Sequence, residues 1–232
     1  MFTIIVPIYN EEKTIINILN KIEQQIYIKK QIILVDDCSQ DDSFSRIKKF
    51  RFKSDFKIIK HKKNLGKGAC IISAKKHIIG DIVIIQDADL EYDPSDYKIL
   101  LKPFESPKIS AVYGSRVLNR NRYNNKNFTS NFRVFANHLL TIFSNLINNQ
   151  QLTDAHTCYK LVRHDVFKKI DFKETGFSFC PELTTKLANL NILIKEVPIS
   201  YNGRTVAEGK KIKFSDGFYA IKSILKYKFF IN

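Results

Sequence analysis

The chain has 232 residues, 44% of them hydrophobic, which is ample material for one large core and marks a folded globular protein. Its 38 Lys and Arg outnumber its 23 Asp and Glu, giving a formal charge of +15 that suits an anionic partner such as nucleic acid, acidic lipid or a phosphorylated substrate. Cys38, Cys70, Cys158 and Cys180 are widely separated with no Cys-x-x-Cys pair, which excludes a zinc-ribbon or disulfide scaffold and fits reduced, cytosolic thiols. No basic leader or cleavage site precedes the first apolar run, and nowhere do about 18 apolar residues follow one another, so neither a secretory signal nor a membrane span is expected.

The first apolar run, Thr3 to Val6, predicts a strand. Asn10 then precedes Glu11 and Glu12, and Ile15, Ile18, Leu19 and Ile22 recur at helical spacing, which predicts a capped amphipathic helix. Strand-like runs return at Gln31 to Val35, Phe56 to Ile59 and Asp81 to Ile85, each followed by a helical stretch, and this alternation predicts a parallel α/β sheet. A fifth run, Ile109 to Tyr113, ends on Gly114, Ser115 and Arg116. The Asn-rich stretch from Asn119 to Asn131 reads as a loop between two halves, 1–118 and 119–232, of a single domain. Two amphipathic helices follow: one with Phe132, Phe135, Leu139, Ile142, Phe143 and Leu146 on one face, the other with Phe214, Phe218, Ile221 and Leu225 and a second face bearing Lys222 and Lys226. Those apolar faces suit either a core or a membrane surface. The five histidines have no metal-ligand spacing and are expected to be structural.

In open parallel sheets, ligands sit beyond the carboxyl ends of the strands, so the residues just after each run are the candidates. They are Pro7 to Glu11, Asp36 to Ser39, Asn64 to Gly68 and Asp87 to Glu91. Asp87, Asp89 and Glu91 would repel one another unless a hard cation such as Mg²⁺ or Mn²⁺ accepted one or two of them; alternatively they cap the helix that begins near Pro94. The Gly66-Lys67-Gly68 segment lets backbone amides and a cation approach phosphates, or is simply a turn before a helix. Asp36 and Asp37 either cap the next helix or accept hydrogen bonds from a base or ribose.

The order and spacing of Pro7-Ile8-Tyr9-Asn10-Glu11, Val35-Asp36-Asp37-Cys38-Ser39, Asn64-Leu65-Gly66-Lys67-Gly68, Asp87-Ala88-Asp89-Leu90-Glu91, Tyr113-Gly114-Ser115-Arg116 and the segment from Arg204 through Gly217 resembles the family 2 glycosyltransferases of the GT-A fold, in particular their dolichyl-phosphate mannosyltransferase-like branch. The resemblance implies a Rossmann-like, mostly parallel central sheet flanked by helices. It implies donor contacts for a nucleotide-sugar at Pro7, Tyr9, Glu11, Val35, Asp37, Lys67, Asp87, Ala88 and Lys211, and a divalent metal at Asp87, Asp89 and Glu91. Asp89, Glu182 and Arg204 take catalytic roles in it, and Arg116, Arg133 and Asp154 face the acceptor, a polyprenyl or dolichyl phosphate. Surplus positive charge places such a protein peripherally on the cytoplasmic face of an anionic membrane. Two alternatives stay open at this stage. One is transfer to a saccharide hydroxyl in cell-surface polysaccharide synthesis, with Glu182 as base. The other is a non-catalytic basic module on membrane or nucleic acid, although acids on the strand rim would repel nucleic acid.

Overall fold

The computed structural model describes residues 1–118, 128–204 and 215–231. β1 (Phe2–Ile8), β2 (Lys30–Asp36), β3 (Asp55–Lys60), β4 (Ile82–Ile85) and β5 (Ala111–Ser115) coincide with the five apolar runs, and α1 (Ile15–Glu23), α2 (Ser43–Lys49), α3 (Lys67–Lys75) and α4 (Tyr97–Leu101) lie between them. Then come α5 (Phe128–Asn148), β6 (Lys160–Arg163), α6 (His164–Lys169), α7 (Phe179–Asn189), β7 (Ile194–Pro198) and α8 (Ser215–Phe229). The strands form one sheet of order β3-β2-β1-β4-β6-β5-β7. All neighbours are parallel except β6, which runs antiparallel between β4 and β5.

Successive strand residues point to opposite faces, and both faces are covered. Ile4, Val6, Ile8, Ile32, Leu34 and Ile84 pack with Ile15, Ile18, Leu19 and Ile22 of α1 on one side. Ile5, Ile33, Val35, Val83 and Ile85 meet Cys70, Ile71 and Ala74 of α3 and Leu183 and Leu187 of α7 on the other. Each fully buried aliphatic side chain contributes about 1.5–3 kcal/mol relative to exposure, so the register that puts Ile5 beside both Ile33 and Ile85 is strongly specified.

Several local expectations are revised. Asn10 does not cap α1: it sits in the left-handed region at φ 52°, and its Oδ1 accepts a hydrogen bond from Gln40 N at 2.8 Å, while α1 begins only at Ile15. The loop expected through Asn131 ends sooner, because 128–131 are already the polar first turn of α5; residues 119–127 lie outside the described residues.

The apolar face of α5 points outward. Thr141, Ser144 and Asn148 are buried, and Asn148 Nδ2 donates to Thr185 Oγ1 of α7 at 3.2 Å, whereas Phe135, Leu139, Ile142 and Leu146 are exposed, Leu146 to 79%. On α8, Ala220, Ile224 and Tyr227 turn inward and Phe218 and Tyr219 outward, so the expected stripe through Phe218, Ile221 and Leu225 is not its buried one; Phe214 lies outside the described residues.

β6 opens with a buried lysine. Lys160 Nζ donates to Ala155 O at 2.7 Å and to Thr184 Oγ1 at 3.1 Å and lies 3.7 Å from the centre of the Tyr113 ring. Burial brings its pKa down to about 8. Below pH 8 both folded and unfolded chains hold this proton, so Lys160 adds no pH dependence. Between about 8 and the ordinary 10.5 the folded chain has released it and the unfolded chain has not, so stability rises with pH. Urea unfolding of wild type and Lys160→Met at pH 7 and pH 9.5 should therefore show the difference between them shifting toward wild type by more than ~1 kcal/mol at the higher pH; a constant difference would contradict the lowered pKa of the buried amine.

Candidate active site

The turns that follow β1, β2, β3 and β4 converge beyond the carboxyl ends of those strands. Asp37, just past β2, is buried and accepts hydrogen bonds from His61 Nδ1 at 2.7 Å, Leu65 N at 2.9 Å and Gly66 N at 2.7 Å. His61 Nε2 in turn meets Ser73 Oγ at 2.9 Å. Asp37 therefore clamps the turn before α3. Gly66 needs its missing side chain there, with φ at +98°.

That turn delivers Lys67 to the acidic segment after β4. Lys67 Nζ donates to Asp87 Oδ1 at 2.5 Å and approaches Cys158 Sγ at 3.4 Å. Burial disfavours both charges, but the pair outweighs it. The Asp87 carboxyl stays below the usual range, and Lys67 is held well above its own, hence a permanent cation.

Asp89 faces a different cation. Arg204 donates from Nη2 to Asp89 Oδ2 at 2.8 Å, reaches Glu11 through Nη1 and Nη2 at 3.3 and 3.4 Å, and has Nε 3.7 Å from Glu91 Oε1. Its backbone N donates to Glu91 Oε1 at 2.9 Å, and Tyr201 OH donates to Glu91 Oε2 at 2.8 Å. Capping of the turn at Pro94 falls to neither Asp87 nor Asp89 but to Asp93, whose Oδ1 accepts from Ser95 N at 2.9 Å. The two earlier acids are thereby left to the rim.

Four carboxylates, Glu11, Asp87, Asp89 and Glu91, share this rim with two basic side chains, Lys67 and Arg204. The surplus shows in Asp89, pushed up to about 6 by desolvation first and then by Asp87 and Glu91, against the pull of Arg204. A hard divalent cation fits this donor set, since it offsets the surplus of carboxylate charge that raises Asp89. In the structure Asp87 and Asp89 each face a basic side chain, Lys67 and Arg204 respectively. Glu91 is directed to Tyr201 and Arg204, and the three acids do not converge as the ligand atoms of Asp37, His61 and Cys70 do, which lie within 4.8 Å of one another and form the one such group among the described residues.

The remaining expected residues fall into distinct settings. Pro7 and Tyr9 are half-buried at the end of β1, while Val35 and Ala88 have their side chains in the core, so only their backbones can meet a ligand. Arg116 is locked on Asp154 by a bidentate pair, Nε to Oδ2 at 2.7 Å and Nη2 to Oδ1 at 2.8 Å, and stacks 5.1 Å from the centre of Tyr201. Glu182 is fully buried and accepts from Lys173 N, Glu174 N and Lys186 Nζ at 2.8, 2.9 and 2.7 Å. The side chain of Arg133, and Lys211 altogether, lie outside the described residues. Tyr201 and Cys158 were not anticipated: nothing in a lone tyrosine or cysteine marks it, and both are recruited by residues distant in sequence.

A mostly parallel sheet with an acidic turn after its central strand, flanked by a lysine and an arginine held on those acids, is the frame of a GT-A glycosyltransferase. The chain belongs to glycosyl transferase family 2, whose pattern matches residues 3–171. Among curated proteins it is 26% identical to UDP-N-acetylglucosamine–dolichyl-phosphate N-acetylglucosaminyltransferase of Methanococcus voltae, over 97% of this chain and 95% of that one. It is 27% identical to dolichyl-phosphate beta-glucosyltransferase ALG5D of Trichomonas vaginalis, over 91% and 68%. It is 22% identical to the dolichol-phosphate mannosyltransferase of Pyrococcus furiosus, over 90% of this chain but 58% of that longer protein. The crystal structure of Mycobacterium tuberculosis glucosyl-3-phosphoglycerate synthase with Mg²⁺ and uridine diphosphate superposes with a TM-score of 0.73 over 98% of this chain and 79% of the other at 17% identity, a likeness of fold.

Proposed function

We propose that this glycosyltransferase moves a hexosyl or N-acetylhexosaminyl group from a nucleoside-diphosphate sugar to a polyprenyl or dolichyl phosphate, with inversion at the anomeric carbon. The observation that carries the reading is the rim itself, where Lys67 on Asp87 and Arg204 on Asp89, Glu11 and Glu91 set two cations among four carboxylates. Three similar proteins named for dolichyl or dolichol phosphate support the acceptor class.

In this reading a lipid-phosphate oxygen forms the new bond to the anomeric carbon as the bond to the donor diphosphate breaks, and the nucleoside diphosphate departs with the electron pair. Lys67 and Arg204 hold the diphosphate oxygens and offset the charge that grows on them. Mg²⁺ or Mn²⁺ bound at Asp87 and Asp89 would supply further neutralisation of the leaving group. The acceptor phosphate is already ionised near neutral pH, so no base is required and alignment dominates. Transfer to a saccharide hydroxyl would need one, and Glu182, the candidate, already accepts three hydrogen bonds.

A lipid acceptor also gives a use to the outward apolar face of α5 and to the exposed Phe218, Tyr219 and Phe229 of α8 and Phe230 just beyond it. No helix among the described residues is long and apolar enough to cross a membrane. These faces would meet an anionic membrane surface. Titration of the protein with uridine and guanosine diphosphates should show binding strengthened by Mn²⁺, and incubation with the matching nucleotide-sugars and a short polyprenyl phosphate should yield a glycosyl-phospholipid by mass spectrometry. Nucleotide binding indifferent to metal, or product formed only on sugar hydroxyls, would refute the proposal.

A further inference from the structure

The segment 173–176 is gripped from two sides. From below, Glu182 of α7 receives the backbone N–H groups of Lys173 and Glu174, with Lys186 neutralising it, and Lys226 Nζ and Tyr227 OH of α8 both donate to Glu174 Oε1 at 2.8 Å. From above, the donor-side glycine turn lies flat against it. Ala69 N donates to Thr175 O at 3.0 Å, a Cβ at Gly66 would come within 2.6 Å of Thr175 O, and one at Gly68 within 2.1 Å of Glu174 O. Lys67 stands between those two glycines. Asp37 fixes the front of the turn, and the segment fixes its back.

We infer that Glu182 is a positioning residue for donor binding, acting through segment 173–176 to set Lys67 on Asp87, rather than a base at the acceptor. A buried carboxylate whose lone pairs hold two backbone N–H groups and an ammonium defines where a segment stops, and the segment here is the surface on which the lysine-bearing turn rests. This rests on the donor-site reading above.

The test is Glu182→Gln, which keeps the volume but replaces one acceptor with a donor. Titrated with whichever nucleoside diphosphate binds wild type in Mn²⁺, the variant should bind about tenfold more weakly, with donor KM raised alike, kcat within about threefold and the shape of the kcat–pH profile retained. In a Lys67→Met background the same substitution should cost less than half as much, because the lysine it positions is gone. Gly68→Ala, which presses on the segment from the donor side, should reproduce the affinity loss and serves if Glu182→Gln does not fold. Loss of kcat by two orders of magnitude at unchanged nucleotide affinity identifies a base and overturns the inference. So does unchanged affinity in a folded Glu182→Gln or Gly68→Ala protein, or full additivity with Lys67→Met. If wild type itself binds no nucleoside diphosphate, the donor-site reading falls and this inference with it; if wild type binds and the variants match it, only the inference falls.

Discussion

Replacing Arg204 with methionine should lower kcat/KM by roughly 10²–10³-fold, or ~3–4 kcal/mol of transition-state stabilisation. The size follows from what one guanidinium does here. It spans Glu11, Asp89 and Glu91, and without it those acids face the incoming diphosphate with Lys67 as the nearby cation among the described side chains. Burial opposes the Arg204 charge, but Asp89 ahead of Glu11 more than compensates, so it remains charged throughout the working range. Arg204→Lys should recover only part of the activity, since a point charge cannot span the carboxylates that the planar fork reaches together. Steady-state kinetics on folded variants decides this; a loss below threefold in Arg204→Met would remove Arg204 from the mechanism.

Asp89→Asn should be as damaging to turnover, a fall of about 10²–10³-fold, yet act in the opposite direction on metal-free binding. If the rim holds the donor phosphates as proposed, removing this carboxylate takes away a negative charge beside them, so nucleoside diphosphate alone should bind the variant as tightly as wild type or tighter. The enhancement by Mn²⁺ should disappear. Calorimetric titration with and without the ion shows both effects, and a variant that keeps the full enhancement would mean that Asp89 does not take the metal. Asp87→Asn tests something different, because that acid is already held by Lys67, with which it forms the shortest contact on the rim.

What could be read from the sequence follows a physical line. β1, β2 and β4 are short apolar runs, and a strand buried on both faces leaves that mark whatever lies around it, whereas β3 at the sheet edge shows only Phe56, Ile58 and Ile59 among charged residues. The rim acids were legible for the same reason, since they follow the strands directly. β6 was not: Lys160-Leu161-Val162-Arg163 has two apolar residues between two cations, and its buried lysine makes sense only with Ala155, Thr184 and Tyr113 around it. The apolar stripe of α5 was seen but its direction was not, because periodicity tells which residues share a face and not what that face meets. Glu182 shows the same limit in a single side chain. A carboxylate at that position signals importance, but whether its oxygens meet an acceptor or the N–H groups of Lys173 and Glu174 depends on how a loop returns.

The antiparallel strand in the middle of the sheet also bears on how the chain is made. When the first 118 residues have left the ribosome, β4 has β1 on one side and nothing on the other, and its eventual neighbour β6, which ends at Arg163, is still to be made. β5, synthesised before β6, cannot join the sheet in its final place until that later strand pairs with both it and β4. The nascent sheet must therefore wait with an open apolar edge, a state prone to pairing with other chains and the natural point for a chaperone to act.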